Sequence, residues 1–257
     1  MPRKRRDTKL PAPFLRRLTV LEEKMCKGYP FNLPWMDAEW ELSFEQPVTI
    51  IVGENGTGKS TLIEAIAALA GYDEAGGGKG YMPVDHSEAI DRSGADLSDA
   101  LRAAWLPRVT DGWFFRAESF FSVARYLDEA ARGAGPPPDY LSNSHGEGFL
   151  RFFDERMGRQ GIYFMDEPES ALSPRRQLEL LRILAEVQSA ARAQVIMATH
   201  SPILMAVPDA AVLQITRDGL DPVDFRETPH FRLYKAFGED PEGFIDDAIQ
   251  NTDALLH

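Results

Sequence analysis

Three short runs of the chain are apolar at nearly every position: Val48-Thr49-Ile50-Ile51-Val52, Ile162-Tyr163-Phe164-Met165 and Val195-Ile196-Met197-Ala198. Runs of this length, β-branched or aromatic and without polar alternation, predict strands buried on both faces of a parallel sheet. Between and after them the period changes to that of a helix. Thr61 to Ala70 consists of strong helix formers and stops at Gly71, and Gly146 to Met157 carries a second helical pattern. Ser173-Pro174 reads as an N-cap with proline at the first helical position, opening a helix to about Arg192. Upstream, residues 14–52 read as short strands broken at Gly28-Tyr29-Pro30 and Leu33-Pro34, with Trp40 to Phe44 alternating as a half-buried antiparallel strand does. Residues 97–133 predict two helical pieces flanking Gly112-Trp113-Phe114-Phe115, and Pro136-Pro137-Pro138 a stiff connector. Residues 71–99, rich in glycine and acid, predict an exposed loop. Ala211 to Thr216 and Val223 to Arg226 predict a hairpin turning at Asp218-Gly219, and the C-terminal stretch is helical. Strands alternating with helices define an α/β fold, a mostly parallel sheet flanked by helices, here with an N-terminal antiparallel β part.

Composition narrows the class. With 257 residues, 44% hydrophobic and 26% charged, the chain can bury a full globular core. It has no apolar run of membrane-spanning length, and the basic start Met1-Pro2-Arg3-Lys4-Arg5-Arg6 is not followed by an apolar segment of the secretory kind. Cys26 is the only cysteine, which excludes an internal disulfide and fits a reducing, cytoplasmic compartment. The net charge of −12 is unevenly spread: residues 1–17 carry +6, so the remainder carries −18. An acidic body is unsuited to coating DNA, whereas the basic arm can meet nucleic acid, an anionic surface or an acidic partner. The expected organisation is a flexible basic arm over residues 1–13 and one domain over residues 14–257, with a small helical subdomain at about 90–157.

The chemistry gathers at the ends of the three apolar runs. The first leads into Gly53-Glu54-Asn55-Gly56-Thr57-Gly58-Lys59-Ser60-Thr61, a complete G-x-x-x-x-G-K-S phosphate loop in the strand–loop–helix setting it requires. Its glycines let successive backbone N–H groups curl around a polyphosphate, and the positive end of the following helix points at the anion. Lys59 is placed for the β- and γ-phosphates of such a ligand, and the Ser60 hydroxyl for Mg²⁺. The second run ends in Asp166-Glu167: Asp166 suits the metal and Glu167 the activation of an attacking water. The third ends in Thr199-His200-Ser201-Pro202, with His200 able to hydrogen-bond a terminal phosphate. A fourth element, Ser144-His145-Gly146-Glu147, opens a helix with a hydroxyl and a glycine, a further anion-ready helix start. Tyr29, Phe31, Trp35 and Trp40 are candidates to stack on adenine.

The order of these elements resembles the ATP-binding-cassette (ABC) ATPase superfamily. Ser144-His-Gly-Glu147 resembles its signature motif, Ser170-Ala-Leu-Ser173 its D-loop and His200 its switch histidine, with 22 positions from Ser144 to Asp166 and 33 from Glu167 to His200. More narrowly, Gly112-Trp-Phe-Phe-Arg-Ala-Glu-Ser119, Asp166-Glu-Pro-Glu-Ser-Ala-Leu-Ser-Pro174 and Ala198-Thr-His-Ser-Pro202 resemble ABC-type ATPases without a transport domain, related to chromosome-maintenance, double-strand-break-repair and overcoming-lysogenization-defect heads. The chain departs from the superfamily pattern in its signature, in Ser173 closing the D-loop, and in Glu118, which stands about where a Q-loop glutamine would, next but one to Arg116.

The resemblance implies ATP and Mg²⁺ as ligands, catalysis by Glu167 and His200, and a homodimer in which Ser144, Gly146 and Glu147 act in trans on the nucleotide of a second copy. The 84 positions between Ser60 and Ser144 leave no room for a long coiled-coil arm, and the 57 after His200 none for a nuclease-type domain. Three functions are compatible with this reading. One is an ATPase of DNA-repair or genome-defence type acting on nucleic acid or a partner protein. The others are the ATP-binding subunit of an ABC transporter and a nucleotide-dependent regulatory interaction module.

Overall fold

The computed structural model describes residues 9–73, 76–79, 93–116 and 145–250. Two sheets organise it. The larger contains β3 (Val48–Val52), β5 (Gly112–Arg116), β6 (Gly161–Asp166), β7 (Ala193–Ala198), β8 (Ala211–Ile215) and β9 (Leu220–Pro222). Their spatial order is β5-β6-β7-β3-β8-β9, parallel except for the β8–β9 hairpin at one edge. The smaller is antiparallel, with β1 (Leu15–Val20) between β2 (Glu41–Ser43) and β4 (Leu101–Trp105).

Side-chain alternation along the large sheet feeds two cores. Val48, Ile50 and Val52, Trp113 and Phe115, Tyr163 and Met165, and Val195 and Met197 face one way. There they meet α3 (His145–Met157) through Leu150, Phe152, Phe153 and Met157, and α4 (Pro174–Ala190) through Leu180, Ile183, Leu184 and Val187. Ile51, Phe114, Ile162, Phe164 and Ile196 face the other way, onto α1 (Lys59–Ala70) and the apolar side of the small sheet, including Leu15, Leu18 and Leu42. Strands buried on both faces need no polar alternation, which is why three of them read as continuous apolar runs. Gln194, fully buried in β7, is satisfied by the start of β1: its Oε1 accepts from the Phe14 and Leu15 amides at 2.8 Å each, and its Nε2 donates to the Leu15 carbonyl at 3.0 Å. Those bonds stitch the small sheet to the large one at the end away from the phosphate loop.

Several local expectations differ from the structure. Within residues 97–111, expected to be helical, the chain forms only the end of α2 (Ser93–Asp99) and then strand β4. Leu101, Ala103 and Trp105 pack into or against apolar clusters, so tertiary contacts override the helix propensity of Leu-Arg-Ala-Ala. The glycine-rich stretch is partly pinned: Gly77 exchanges two backbone hydrogen bonds with Phe114, at 2.7 and 3.0 Å, and covers the β5 edge of the sheet. The late hairpin turns as expected, but its second strand is β9, three residues ahead of the predicted Val223. Residues 93–99, the end of the stretch expected as an exposed loop, form α2 with Leu97 fully buried. Elsewhere α1 ends at a left-handed Gly71, Ser173 caps α4 by accepting the Arg176 amide, and α6 (Pro229–Glu239) and α7 (Pro241–Gln250) follow β9, after the one-turn helix α5 (Pro202–Met205). The Pro136–Pro138 connector and the helical piece after Phe115 lie outside the described residues.

Candidate functional site

The carboxyl ends of β3, β6 and β7 open on the same edge of the large sheet, with β7 between the other two. In open α/β sheets this is where ligands bind. β3 runs into the phosphate loop, β6 into Asp166-Glu167 and β7 into Thr199-His200.

The loop is shaped by its glycines. Gly56 and Gly58 hold φ of +77° and +90°, and a Cβ at Gly58 would stand 2.8 Å from the Leu33 side chain. Leu33 and Trp35 come from the segment between β1 and β2, and Trp35 Nε1 donates to the Thr57 carbonyl at 2.7 Å. That segment packs the loop from outside. Trp35 and Trp40 are therefore buried structural residues with rings 5.5 Å apart, unable to offer a face to adenine. Tyr29 is the exposed aromatic here, and its hydroxyl is hydrogen-bonded to Thr61.

Lys59 begins α1. Its ammonium donates to the carbonyls of Gly53 at 2.9 Å and Glu54 at 3.0 Å. Burial lowers its pKa, against the attraction of Glu167, Asp166, Glu54 and Glu169. Ser60 Oγ donates to Asp166 Oδ1 at 3.0 Å, joining the two motifs across the intervening strand. Asp166 is buried, and desolvation raises its pKa while Arg116 and the Ser60 hydrogen bond oppose the rise. Arg116, at the end of β5, stands 2.7 Å from Glu64 of α1 and 3.9 Å from Asp166. Carboxylates beside the phosphate loop are thus among the charged partners of Arg116. Ser60 and Asp166 form a hard oxygen pair in which a buried carboxylate is held next to a hydroxyl, a donor set that suits Mg²⁺ completed by phosphate oxygens and waters. Among the described residues no cluster of three or more His, Cys, Asp or Glu could hold a metal by itself.

Glu167 follows Asp166 with φ +46°, a left-handed conformation that is strained for a side-chain-bearing residue. Its amide donates to the Ala198 carbonyl at 3.0 Å, which aims the half-exposed carboxylate across the end of β7. There Glu167 Oε1 lies 3.5 Å from His200 Nε2. Glu169, two residues on, is partly buried and bidentate: it accepts the Thr199 hydroxyl at 2.8 Å and the His200 amide at 2.6 Å. Burial pushes its pKa up, and these hydrogen bonds oppose the shift. The turn after β6 and the turn after β7 are thereby clamped together. His200 Nδ1 meets a second histidine, His230 of α6, at 2.9 Å. Both imidazoles have lowered pKa values, principally from burial, with the Lys59 charge adding to the effect.

Lys59, Ser60, Asp166, Glu167 and His200 therefore converge on one edge of the sheet. Gly146 and Glu147 begin α3, and Ser144 and Glu118 lie outside the described residues. Sequence reasoning missed Glu64, Glu169 and His230. A lone acid inside the apolar run Leu62-Ile63-Glu64-Ala65-Ile66 and a third acid in Asp166-Glu167-Pro168-Glu169 were readable signals. His230, 30 positions from His200, gave none.

Two domain models match the chain. One, described as AAA domain, putative AbiEii toxin, Type IV TA system, covers residues 143–206; the other, described as AAA domain, covers residues 31–95. The two matches take in the phosphate loop, Asp166-Glu167 and His200, and the fold and site agree with an ATPase-type nucleotide-binding domain. Among solved structures, it is similar to cbiO1 from Clostridium perfringens, part of the ABC transporter complex cbiONQ, at 14% identity, 90% coverage of this chain, 98% of that one and a TM-score of 0.42. The SMC head bound to the C-winged helix domain of ScpA gives 15% identity, 82% and 97% coverage and a TM-score of 0.45. The SMC head domain from Thermotoga maritima gives 17% identity, 82% and 99% coverage and 0.37. No curated protein matches the chain. No helix among the described residues is long and apolar enough to cross a membrane.

Proposed function

We propose that this domain binds ATP on residues 53–61, hydrolyses it with Glu167 and His200, and dimerises when ATP is bound. The observation that carries the reading is the joining of the phosphate loop to the acid strand through Ser60 and Asp166, with Glu167 and His200 facing each other beside Lys59. In this reading Lys59 gives up its loop carbonyls for the β- and γ-phosphates. Ser60 and Asp166 hold Mg²⁺, which when bound neutralises phosphate charge. Glu167 accepts a proton from the attacking water, and His200 donates a hydrogen bond to the terminal phosphate. Ser144, Gly146 and Glu147 reach the nucleotide of the second copy, so ATP favours the dimer through contacts that one copy lacks. Glu118 serves as the Q-loop equivalent. The domain organisation proposed is an arm at residues 1–13 and an ATPase domain at 14–257. The uneven charge, +6 over residues 1–17, supports coupling to nucleic acid in repair or defence.

The test is light scattering of Glu167→Gln with and without ATP and Mg²⁺, paired with steady-state turnover. An ATP-dependent doubling of mass with turnover lowered at least 100-fold, roughly the worth of one general base, is the expected result. A monomer at tens of micromolar under both conditions overturns the dimer. Turnover of the wild type that is indifferent to single- or double-stranded DNA overturns the nucleic-acid coupling.

A further inference from the structure

His230 belongs to none of the motifs above, yet among the described residues it makes the one side-chain hydrogen bond of the His200 ring. The bond runs from His200 Nδ1 to His230 Nε2 at 2.9 Å, with ring centroids 4.9 Å apart. The other nitrogen of each ring, His200 Nε2 and His230 Nδ1, is buried without a hydrogen-bond partner. His200 Nε2 instead faces the Glu167 carboxylate at 3.5 Å.

The protons of a neutral histidine pair are fixed by what surrounds it, because one ring nitrogen must donate where the other accepts. Were His200 protonated on Nδ1, its Nε2 lone pair would be directed at a carboxylate, lone pair against anion. Were it protonated on Nε2, the N–H would point at Glu167. The second arrangement is favoured electrostatically, and it makes Nδ1 the acceptor. His230 Nε2 must then carry the hydrogen that Nδ1 accepts. Burial, and the nearby Lys59 ammonium, disfavour a second proton on either ring.

We propose that His230 is a positioning residue for the hydrolysis reaction: by donating Nε2–H to His200 Nδ1 it holds His200 as the Nε2–H tautomer, with that hydrogen presented to Glu167 and to the space beside Lys59. This rests on the ATPase reading above. Its consequence is that α6, distant in sequence from the three motif-bearing strands, sets the competence of the site. His230 sits just after Thr228, whose hydroxyl caps α6 by accepting the Phe231 amide at 3.3 Å, so the imidazole is carried on a defined first turn.

The experiment combines ¹⁵N-histidine NMR of the full chain with the kinetics of His230→Ala and His230→Gln. In the wild type, His200 Nδ1 should resonate as an unprotonated nitrogen and Nε2 as a protonated one. His230→Ala should mix the two tautomers and lower kcat about tenfold, the scale of one lost hydrogen bond, while KM for ATP changes less than about twofold. His230→Gln, whose amide can still donate, should recover most of that loss. A wild-type His200 protonated on Nδ1, or a His230→Ala enzyme with unchanged kcat, overturns the proposal. So does a kcat loss of equal size in both variants, since that marks a merely structural residue. If the wild type turns over no ATP, the parent reading fails, and the NMR spectrum still decides the tautomer.

Discussion

At the scale of single residues, two groups carry opposite demands. Lys59 is buried, its positive charge opposed by desolvation and supported by four surrounding carboxylates. Lys59→Ala should abolish nucleotide binding while leaving the fold intact, because among the described residues the ammonium bonds only to loop carbonyls; isothermal calorimetry with ATP and circular dichroism check the two halves. Glu169 is a structural clamp whose removal leaves the Thr199 hydroxyl and the His200 amide without their acceptor. Glu169→Ala should cost about 1–3 kcal/mol per group left unsatisfied, seen in urea unfolding, and should release the His200 turn. The histidine pair adds a pH dependence. His200 faces Lys59, Glu167, Glu54 and His230, and His230 faces Glu54 and Lys59. The folded pKa values of both lie below the ordinary 6.5. The unfolded chain therefore binds protons first as pH falls, and stability is lost as pH drops below that value. Thermal melts across the range should show this slope, and His200→Gln combined with His230→Gln should flatten it.

At the scale of elements, packing decides what propensity leaves open. Gly112 opens β5 at φ +148°, and a Cβ there would stand 1.8 Å from the Ile162 carbonyl oxygen of β6. Gly112→Ala should force the two strands apart and cost upwards of about 3 kcal/mol, beyond the usual range of point substitutions; chemical denaturation measures it. The three central strands, α1 and α4 were legible because both-face burial, a phosphate loop and a Ser-Pro cap each leave a local mark. Strand β4 was not, since Leu-Arg-Ala-Ala is as good a helix as a strand until β1 offers it an edge. The site divides likewise. Lys59, Ser60, Asp166, Glu167 and His200 sit at strand ends and could be listed from spacing, whereas His230 is brought in by the return of α6, which no local pattern encodes.

At the scale of the molecule, the six-stranded sheet is held between two apolar layers, and the fully buried Phe114 and Phe164, 6.3 Å apart edge to face, belong to the layer shared with α1. Phe164→Ala should cost about 3–5 kcal/mol and, by loosening β6, weaken ATP binding as well; parallel melts and titrations would show both. The strand order carries a further thermodynamic corollary. β7 is inserted between β3 and β6, so the loop, the acids and the histidine become neighbours only after segments more than 100 positions apart have all assembled. No excised fragment bearing one motif can hold a triphosphate in this manner, and occupancy is inseparable from the integrity of the entire sheet. A ligand present at 100 times its dissociation constant should then raise the global unfolding free energy by about 2.7 kcal/mol, making nucleotide supply itself a determinant of how long the chain survives.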